Sequence, residues 1–247
     1  MKGIYQHIIN QSLIGEKLLA VLIDPDKMDL NRLPLFIQKV NASIATHIFV
    51  GGSWVADESA TEILVEKIKT ETKLPIILFP GDVSQIAETA DALLFLSLIS
   101  GDNPEYLIGQ HVKVISRLRN SNLEIIPTGY ILIENGKETS VEKVTRTKPI
   151  SLKDVHKIAD TAKAGELLGM RLIYLEAGSG ALQPVPTEII SYVRKDLNIP
   201  LIVGGGIRSK EQLDAAYRAG ADLVVIGTAF EHDEAFFKEI ETYLNLK

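Results

Sequence analysis

Eight short apolar runs, separated by segments with helical periodicity, constrain the fold more than any other feature of the chain. They fall at 18–24 (LLAVLID), 47–51 (HIFVG), 75–79 (PIILF), 92–97 (ALLFLS), 123–127 (LEIIP), 172–176 (LIYLE), 200–204 (PLIVG) and 222–227 (DLVVIG). Most are apolar on consecutive rather than alternate residues, the pattern of strands covered on both faces. Strands of that kind alternating with helices predict a parallel sheet, and eight of them predict a closed (β/α)8 barrel. The length of 247 residues suits one such barrel domain over residues 1–247.

Composition narrows the function. With 46% hydrophobic residues the chain can bury a full core. The absence of cysteine excludes a disulfide scaffold, thiolate zinc, an iron–sulfur cluster and a cysteine nucleophile. A formal net charge of −6 argues against binding nucleic acid by broad phosphate neutralisation. The first residues, MKGIYQHIINQSLIG, are too polar for a signal peptide, and the most apolar stretch, 92–99, is too short to span a bilayer. A soluble, cytoplasmic protein is expected.

Two places break the rhythm. Residues 80–91, between the third and fourth runs, leave room for little more than a short helix. Residues 128–149, after the fifth, are in excess, and Asn135-Gly136 following Tyr130-Ile-Leu-Ile-Glu134 predicts a hairpin with a type I′ turn. That hairpin would be either decoration or a lid, because loops after barrel strands lie on the catalytic face. Ser151-Leu-Lys-Asp154 resembles a capping box opening a helix that stops near Gly169. A last helix would pack Phe236, Ile240, Tyr243 and Leu244 on one face.

In this architecture chemistry sits at the C-terminal ends of the strands. The first ends in Asp24, where a carboxylate can hold a cation or take a proton; a helix N-cap is the plainer alternative. The second ends in Gly51-Gly52-Ser53, a turn by itself but a sparse oxygen site for Mg²⁺ when paired with Asp24. The sixth ends in Glu176-Ala-Gly-Ser-Gly180, joining a potential base to backbone N–H groups able to face an anion. The seventh and eighth end in Gly204-Gly205-Gly206 and Gly227-Thr228 before helix N-termini, the phosphate-cradling arrangement of many barrels.

Other polar residues look plainer. The five histidines have no metal-like spacing, and Phe79, Phe95, Tyr106 and Tyr130 suit a core, a rim or an apolar tunnel. No lysine lies within any of the eight runs, which disfavours a Schiff-base aldolase. The fifth run ends without an acid, which disfavours an isomerase working with carboxylates from the first and fifth strands. A phosphate-binding barrel enzyme, such as one of the phosphosugar isomerase type, and a non-catalytic phosphometabolite binder both remain open on these residues.

Seven motifs then carry a resemblance over nearly the whole chain: LIDPDK (22–27), GGSW (51–54), IPTGYILI (126–133), TKPI (147–150), YLEAGSGA (174–181), VGGGIRS (203–209) and IGTAFE (226–231). In this order they resemble the geranylgeranylglyceryl phosphate synthase family, most closely its second group, found in archaea and some bacteria. The resemblance implies a Mg²⁺-dependent prenyltransferase that moves geranylgeranyl from its diphosphate to the C3 hydroxyl of sn-glycerol 1-phosphate, the first ether bond of archaeal-type phospholipids. It implies that Asp24 and Ser53 contact the metal. It also implies that Tyr174, Leu175, Glu176, Ala177, Gly178, Ser179 and Gly180, with Gly205, Gly206, Gly227 and Thr228, hold glycerol phosphate. Asp24 and Glu176 are then the expected catalytic residues, an irregular third helix is expected, and relatives form dimers or hexamers. The family's first group has a lysine two residues before the metal aspartate, where this chain has Leu22. A C20 tail needs an apolar groove, expected across the top of the barrel toward the shortened third connection.

Overall fold

A computed structural model describes residues 3–52, 58–227 and 240. Helix α1 (Ile4–Leu13) precedes β1 (Leu18–Ile23), α2 (Leu33–Asn41), β2 (His47–Val50), α3 (Glu58–Glu71) and β3 (Ile76–Leu78). A single 3-10 turn (Val83–Gln85) leads to β4 (Ala92–Leu98), and a π-helical turn (Glu105–Gly109) runs into α4 (Gln110–Leu118). Then come β5 (Glu124–Leu132), α5 (Ser140–Thr145), α6 (Val155–Leu167), β6 (Leu172–Glu176), α7 (Thr187–Asp196), β7 (Leu201–Gly204), α8 (Lys210–Ala219) and β8 (Leu223–Ile226). The strands close in sequence order, β1 pairing with both β2 and β8, and every pairing is parallel. The (β/α)8 barrel read from the sequence is therefore the observed fold.

The two-residue period of a strand divides the core in two. Leu18 and Ala20 of β1 join Phe49, Ile77, Leu94, Ile126, Tyr174, Ile202 and Val225 in a cluster that fills the barrel. Their neighbours Leu19, Val21 and Ile23 face outward, into the layer shared with helix residues such as Ile37, Leu64, Ile158, Ile190 and Leu213. Both faces of each strand are thus covered, which is why the runs lack alternation.

Helix α1 plugs the N-terminal end of the barrel with Ile4 and Ile8, which belong to the inner cluster. The Glu124 carboxylate accepts the N–H groups of Gly3, Ile4 and Tyr5 at 2.9, 2.7 and 3.0 Å. Those amides lack helical partners, so an anion suits them by hydrogen bonding and by the helix dipole. At the same end, buried Asp222 accepts from the Ser12 hydroxyl (2.7 Å), the Leu201 N–H (2.8 Å) and the Arg194 guanidinium (3.0 Å). Ile240 is fully buried in the outer layer; Phe236, Tyr243 and Leu244 lie outside the described residues. Among the described residues, no helix is long and apolar enough to cross a membrane.

Two local expectations need correction. The segment after β5 forms no hairpin: Tyr130, Ile131 and Leu132 belong to a nine-residue barrel strand and pair with Tyr174, Leu175 and Glu176 of β6. The returning chain meets the end of this run only at Ile150, in a single parallel bridge to Ile133 in place of an antiparallel hairpin. Gly136 does adopt a positive φ of 70°, but Asn135 beside it brackets the β6–α7 loop instead, donating to Gln183 O at 2.6 Å and accepting from Leu182 N at 2.9 Å. The chain then enters α5 through a capping box, in which Glu142 N donates to the Thr139 hydroxyl and Thr139 N to the Glu142 carboxylate. The capping box expected at Ser151–Asp154 is absent as such, because the Ser151 hydroxyl donates to Glu134 (2.8 Å) and α6 begins after Asp154 without a side-chain cap. The helix does end beside Gly169, at a φ of 96°.

Candidate active site

The same alternation that fills the barrel decides what rings its mouth. Continued one step past each strand, the inward positions are Asp24 after β1, Gly51 after β2, Phe79 after β3 and Gly227 after β8. Glu176 and Gly204 close β6 and β7 in the same way. A cavity of 420 Å³ opens there, lined by Asp24, Gly51, Gly52, Phe79, Glu176, Gly178, Gly205 and Gly227 among others. Strand order separates its two sides. The run β6-β7-β8-β1-β2 carries Asp24, Glu176 and most of the glycines, while the β3–β4 connection adds Gly81 and Asp82. The β3–β4 connection, β4, the π-helical turn, α4 and α5 supply Val83, Ile86, Leu96, Tyr106, Val114 and Val141. The apolar groove expected toward the third connection is the apolar half of this cavity.

Glu176 is the most constrained acid of the mouth. It is 6% exposed, and its carboxylate accepts the Gly178 N–H at 2.6 Å and bonds the Tyr174 hydroxyl. Burial pushes its carboxyl up to about 7, against the smaller opposing effect of those two hydrogen bonds. Beneath it, Tyr174 stacks on Phe79 with ring centroids 5.2 Å apart and meets Tyr130 at 5.3 Å, an aromatic floor. Burial and then the charge of Glu176 raise the Tyr174 phenol well above its ordinary value, so it serves as a neutral donor.

Glycine at the β7 end is a steric requirement. A Cβ on Gly204 would stand 2.1 Å from the Tyr174 hydroxyl, and one on Gly205 would stand 2.5 Å from the Glu176 carboxylate. Gly205 and Gly206 also hold positive φ values of 84° and 74°. After them, Ile207 and Arg208 still line the cavity, and Ser209 caps α8, accepting from Gln212 N.

Asp24 is no helix cap, since α2 starts nine residues later at Leu33. Its carboxylate accepts the Asp26 N–H at 3.1 Å and pairs with Lys27 at 3.1 Å. It packs on the bare Cα of Gly52, where a Cβ would be 2.6 Å away. Of the other expected site residues, Tyr174, Gly178, Ser179, Gly180, Gly205, Gly206 and Gly227 line the cavity beside Glu176. Leu175 and Ala177 belong to the outer layer and supply backbone. Ser53 and Thr228 lie outside the described residues. Sequence reading passed over Arg208, which lines the cavity and donates to Ala181 O at 2.8 Å; its position directly after the glycine run was the available signal. It also passed over Gln85, the last residue of the 3-10 turn inside the shortened connection, for which the sequence offered no local signal.

Closed barrel, a mouth edged by acids and glycines, and an adjoining apolar recess together define an enzyme of the (β/α)8 barrel class. The chain belongs to the PcrB family, which it matches over residues 11–244, and with it to the geranylgeranylglyceryl phosphate synthases. It is 57% identical to a geranylgeranylglyceryl phosphate synthase of Zunongwangia profunda over 95% of this chain and 99% of that one. A synthase of the same name from Thermococcus gammatolerans is 43% identical over 93% of this chain and 90% of its own. Among solved structures, the (S)-3-O-geranylgeranylglyceryl phosphate synthase of Thermoplasma acidophilum, in complex with its substrate sn-glycerol-1-phosphate, superposes with a TM-score of 0.91. Its sequence identity is 31%, covering 99% of this chain and 98% of that one.

Proposed function

We propose that this chain transfers geranylgeranyl from its diphosphate to the C3 hydroxyl of sn-glycerol 1-phosphate, giving geranylgeranylglyceryl phosphate and diphosphate. The observation that carries the reading is one cavity with a buried acid and glycine-edged strand ends on one side and apolar walls on the other. The hydroxyl oxygen of the acceptor attacks the allylic C1 of the donor. The C1–O bond to diphosphate breaks with its electron pair leaving on oxygen, and the hydroxyl proton passes to Glu176. A carboxyl held near 7 is matched to that task, being a stronger base than an exposed glutamate yet still ionised in part at neutral pH. Gly205, Gly206 and Gly227 with the α8 N-terminus hold the acceptor phosphate, which fixes the hydroxyl beside the allylic carbon. The apolar half takes the prenyl tail, at about 0.8 kcal/mol per buried CH₂.

The donor set fits Mg²⁺ near Asp24. Among the described residues no three His, Asp or Glu side chains converge, so a metal here takes most of its ligands from water and substrate oxygens, as Mg²⁺ does. Asp24 and Ser53 would hold it. When bound, the ion supplies positive charge opposite the departing diphosphate. Cytoplasmic location and assembly into a dimer or hexamer complete the reading; the exposed Ile108, Val112 and Ile115 near α4 offer an apolar face for self-association.

A phosphosugar isomerase accounts less well for the cavity. The β5 end presents Tyr130 and Leu132 instead of an acid, and an apolar recess has no task with a sugar. A non-catalytic binder leaves the buried Glu176 without purpose. The test is turnover of radiolabelled sn-glycerol 1-phosphate with C15, C20 and C35 prenyl diphosphates, in Mg²⁺ and in EDTA. Metal-dependent ether product, fastest with the C20 donor, is expected; no product with any donor would refute the proposal.

A further inference from the structure

The third connection of the barrel is a 3-10 turn in place of a helix, and its last residue is the fully buried Gln85. Its amide makes three bonds. Oε1 accepts from Gly52 N at 3.2 Å and from Gly81 N at 3.1 Å, while Nε2 donates to Gly52 O at 2.9 Å. Both backbone groups of Gly52 are therefore held by one side chain, in the manner of an extra strand residue added to the edge of the β2 end. Gly51, just before, admits no side chain, since a Cβ would stand 1.8 Å from Phe79 O. Gly52 in turn forms the surface against which the Asp24 carboxylate packs. The turn that carries Gln85 is anchored from its far side as well: the Arg117 guanidinium donates to Val83 O at 3.3 Å and Ile86 O at 2.8 Å. Asp82 fixes its start by accepting Ser84 N at 2.9 Å.

From this chain of contacts we infer that Gln85 is the positioning residue of the diphosphate end of the site, setting the Gly51-Gly52 turn and, through it, Asp24. The inference deepens the reading of Asp24 and Ser53 as the metal contacts and rests on it. Gln85 is fully buried behind the residues that line the cavity, so its influence on the site runs through the Gly51-Gly52 turn. Its amide supplies a donor and an acceptor at a fixed separation, which an aliphatic side chain of equal length does not. The acceptor site, built on β6 to β8, shares none of these bonds. Gln85 is thus expected to govern one substrate and leave the other alone, a split that general destabilisation would not produce.

The decisive experiment compares wild type, Gln85→Met and Asp24→Asn by isothermal titration with two probes. One is inorganic pyrophosphate with and without MgCl₂; the other is sn-glycerol 1-phosphate. For Gln85→Met we expect Mg²⁺-dependent pyrophosphate binding to weaken tenfold or more, with sn-glycerol 1-phosphate affinity within twofold of wild type. In turnover, KM for the prenyl diphosphate should rise while kcat falls less. Unchanged pyrophosphate binding in Gln85→Met, alongside loss in Asp24→Asn, would overturn the role of Gln85 and leave the metal reading intact. Equal losses of both probes would overturn it in favour of a structural role. Wild type that binds pyrophosphate without regard to Mg²⁺ would overturn the metal reading and this inference together. If Gln85→Met does not fold, Gln85→Glu keeps both accepted bonds, loses the donated one and is read by the same titrations with the same criteria.

Discussion

Replacing Glu176 by glutamine should stabilise the protein while it abolishes turnover, and the stabilisation should depend on pH in a calculable way. A glutamate carboxyl moved from its ordinary 4.5 up to about 7 by burial binds its proton more tightly in the folded chain than in the unfolded one. At about 1.4 kcal/mol per unit, the folded state loses about 3 kcal/mol as pH rises from below 4.5 to above 7. Glutamine keeps the shape and the acceptor for Gly178 N but carries no charge to desolvate. The variant should therefore gain under about 1 kcal/mol at pH 5 and about 3 kcal/mol at pH 8.5 relative to wild type. His47, held neutral by burial with its own value lowered to about 3, acts in the opposite direction and makes stability rise with pH, up to its ordinary 6.5. Both proteins share that contribution, so it cancels in the difference. Urea denaturation of each protein in EDTA without substrate, at the two pH values, measures the effect. An offset that does not change with pH, or a glutamine variant less stable at pH 8.5, would refute the assignment of a strained, desolvated acid to the barrel mouth.

Three further substitutions separate the parts of the site. Asp24→Asn should lower kcat/KM for the prenyl diphosphate by a factor on the order of 100 to 10,000 while sn-glycerol 1-phosphate still binds, as steady-state kinetics and calorimetry would report. Gly206→Ala places a Cβ 2.3 Å from Gln183 O at a φ of 74°. It should cost about 1–3 kcal/mol of stability and release the acceptor phosphate, visible by denaturation and by titration of sn-glycerol 1-phosphate. Glu124→Gln, at the opposite end of the barrel, should lose about 1–2 kcal/mol from the α1 junction, where three N–H groups share the carboxylate, with kcat unchanged.

The barrel was legible because its signal repeats: most of the eight strands carry the same consecutive apolar pattern, and a wrong boundary in one does not disturb the count. The ring of mouth residues was legible for a related reason. A strand's period carries past its last hydrogen bond, so an acid directly after an apolar run, such as Asp24 or Glu176, points where the strand points. The hairpin misled because Tyr130-Ile-Leu-Ile followed by Asn-Gly is a sound local signal overruled by a distant one, the pairing of β5 with β6. Gln85 was illegible for the opposite reason. Its task is defined by Gly52, 33 residues earlier, and no local pattern announces a side chain that substitutes for a strand's backbone.

Two irregularities of the barrel are neighbours, and together they explain the cavity. A full helix after β3 would cover that flank of the mouth; a 3-10 turn of three residues leaves it open. On the far side of β4, β5 runs for nine residues and carries Tyr130 level with Leu98 of β4 and Tyr174 of β6, and Leu132 level with Glu176. Beside the opened flank lies β4, whose Leu96 and Leu98 line the gap together with Tyr106 and Val141. The five strands left regular, β6 to β8 with β1 and β2, keep the usual glycine-ended, acid-bearing mouth. A chain that must seat a charged head and a long apolar tail needs those two surfaces side by side. Strand order in a closed barrel supplies that adjacency without a second domain. The shortened connection has one further consequence: the residues that open the apolar side end in Gln85, which fastens the polar side, so the size of the opening and the placement of Asp24 are set by the same few residues.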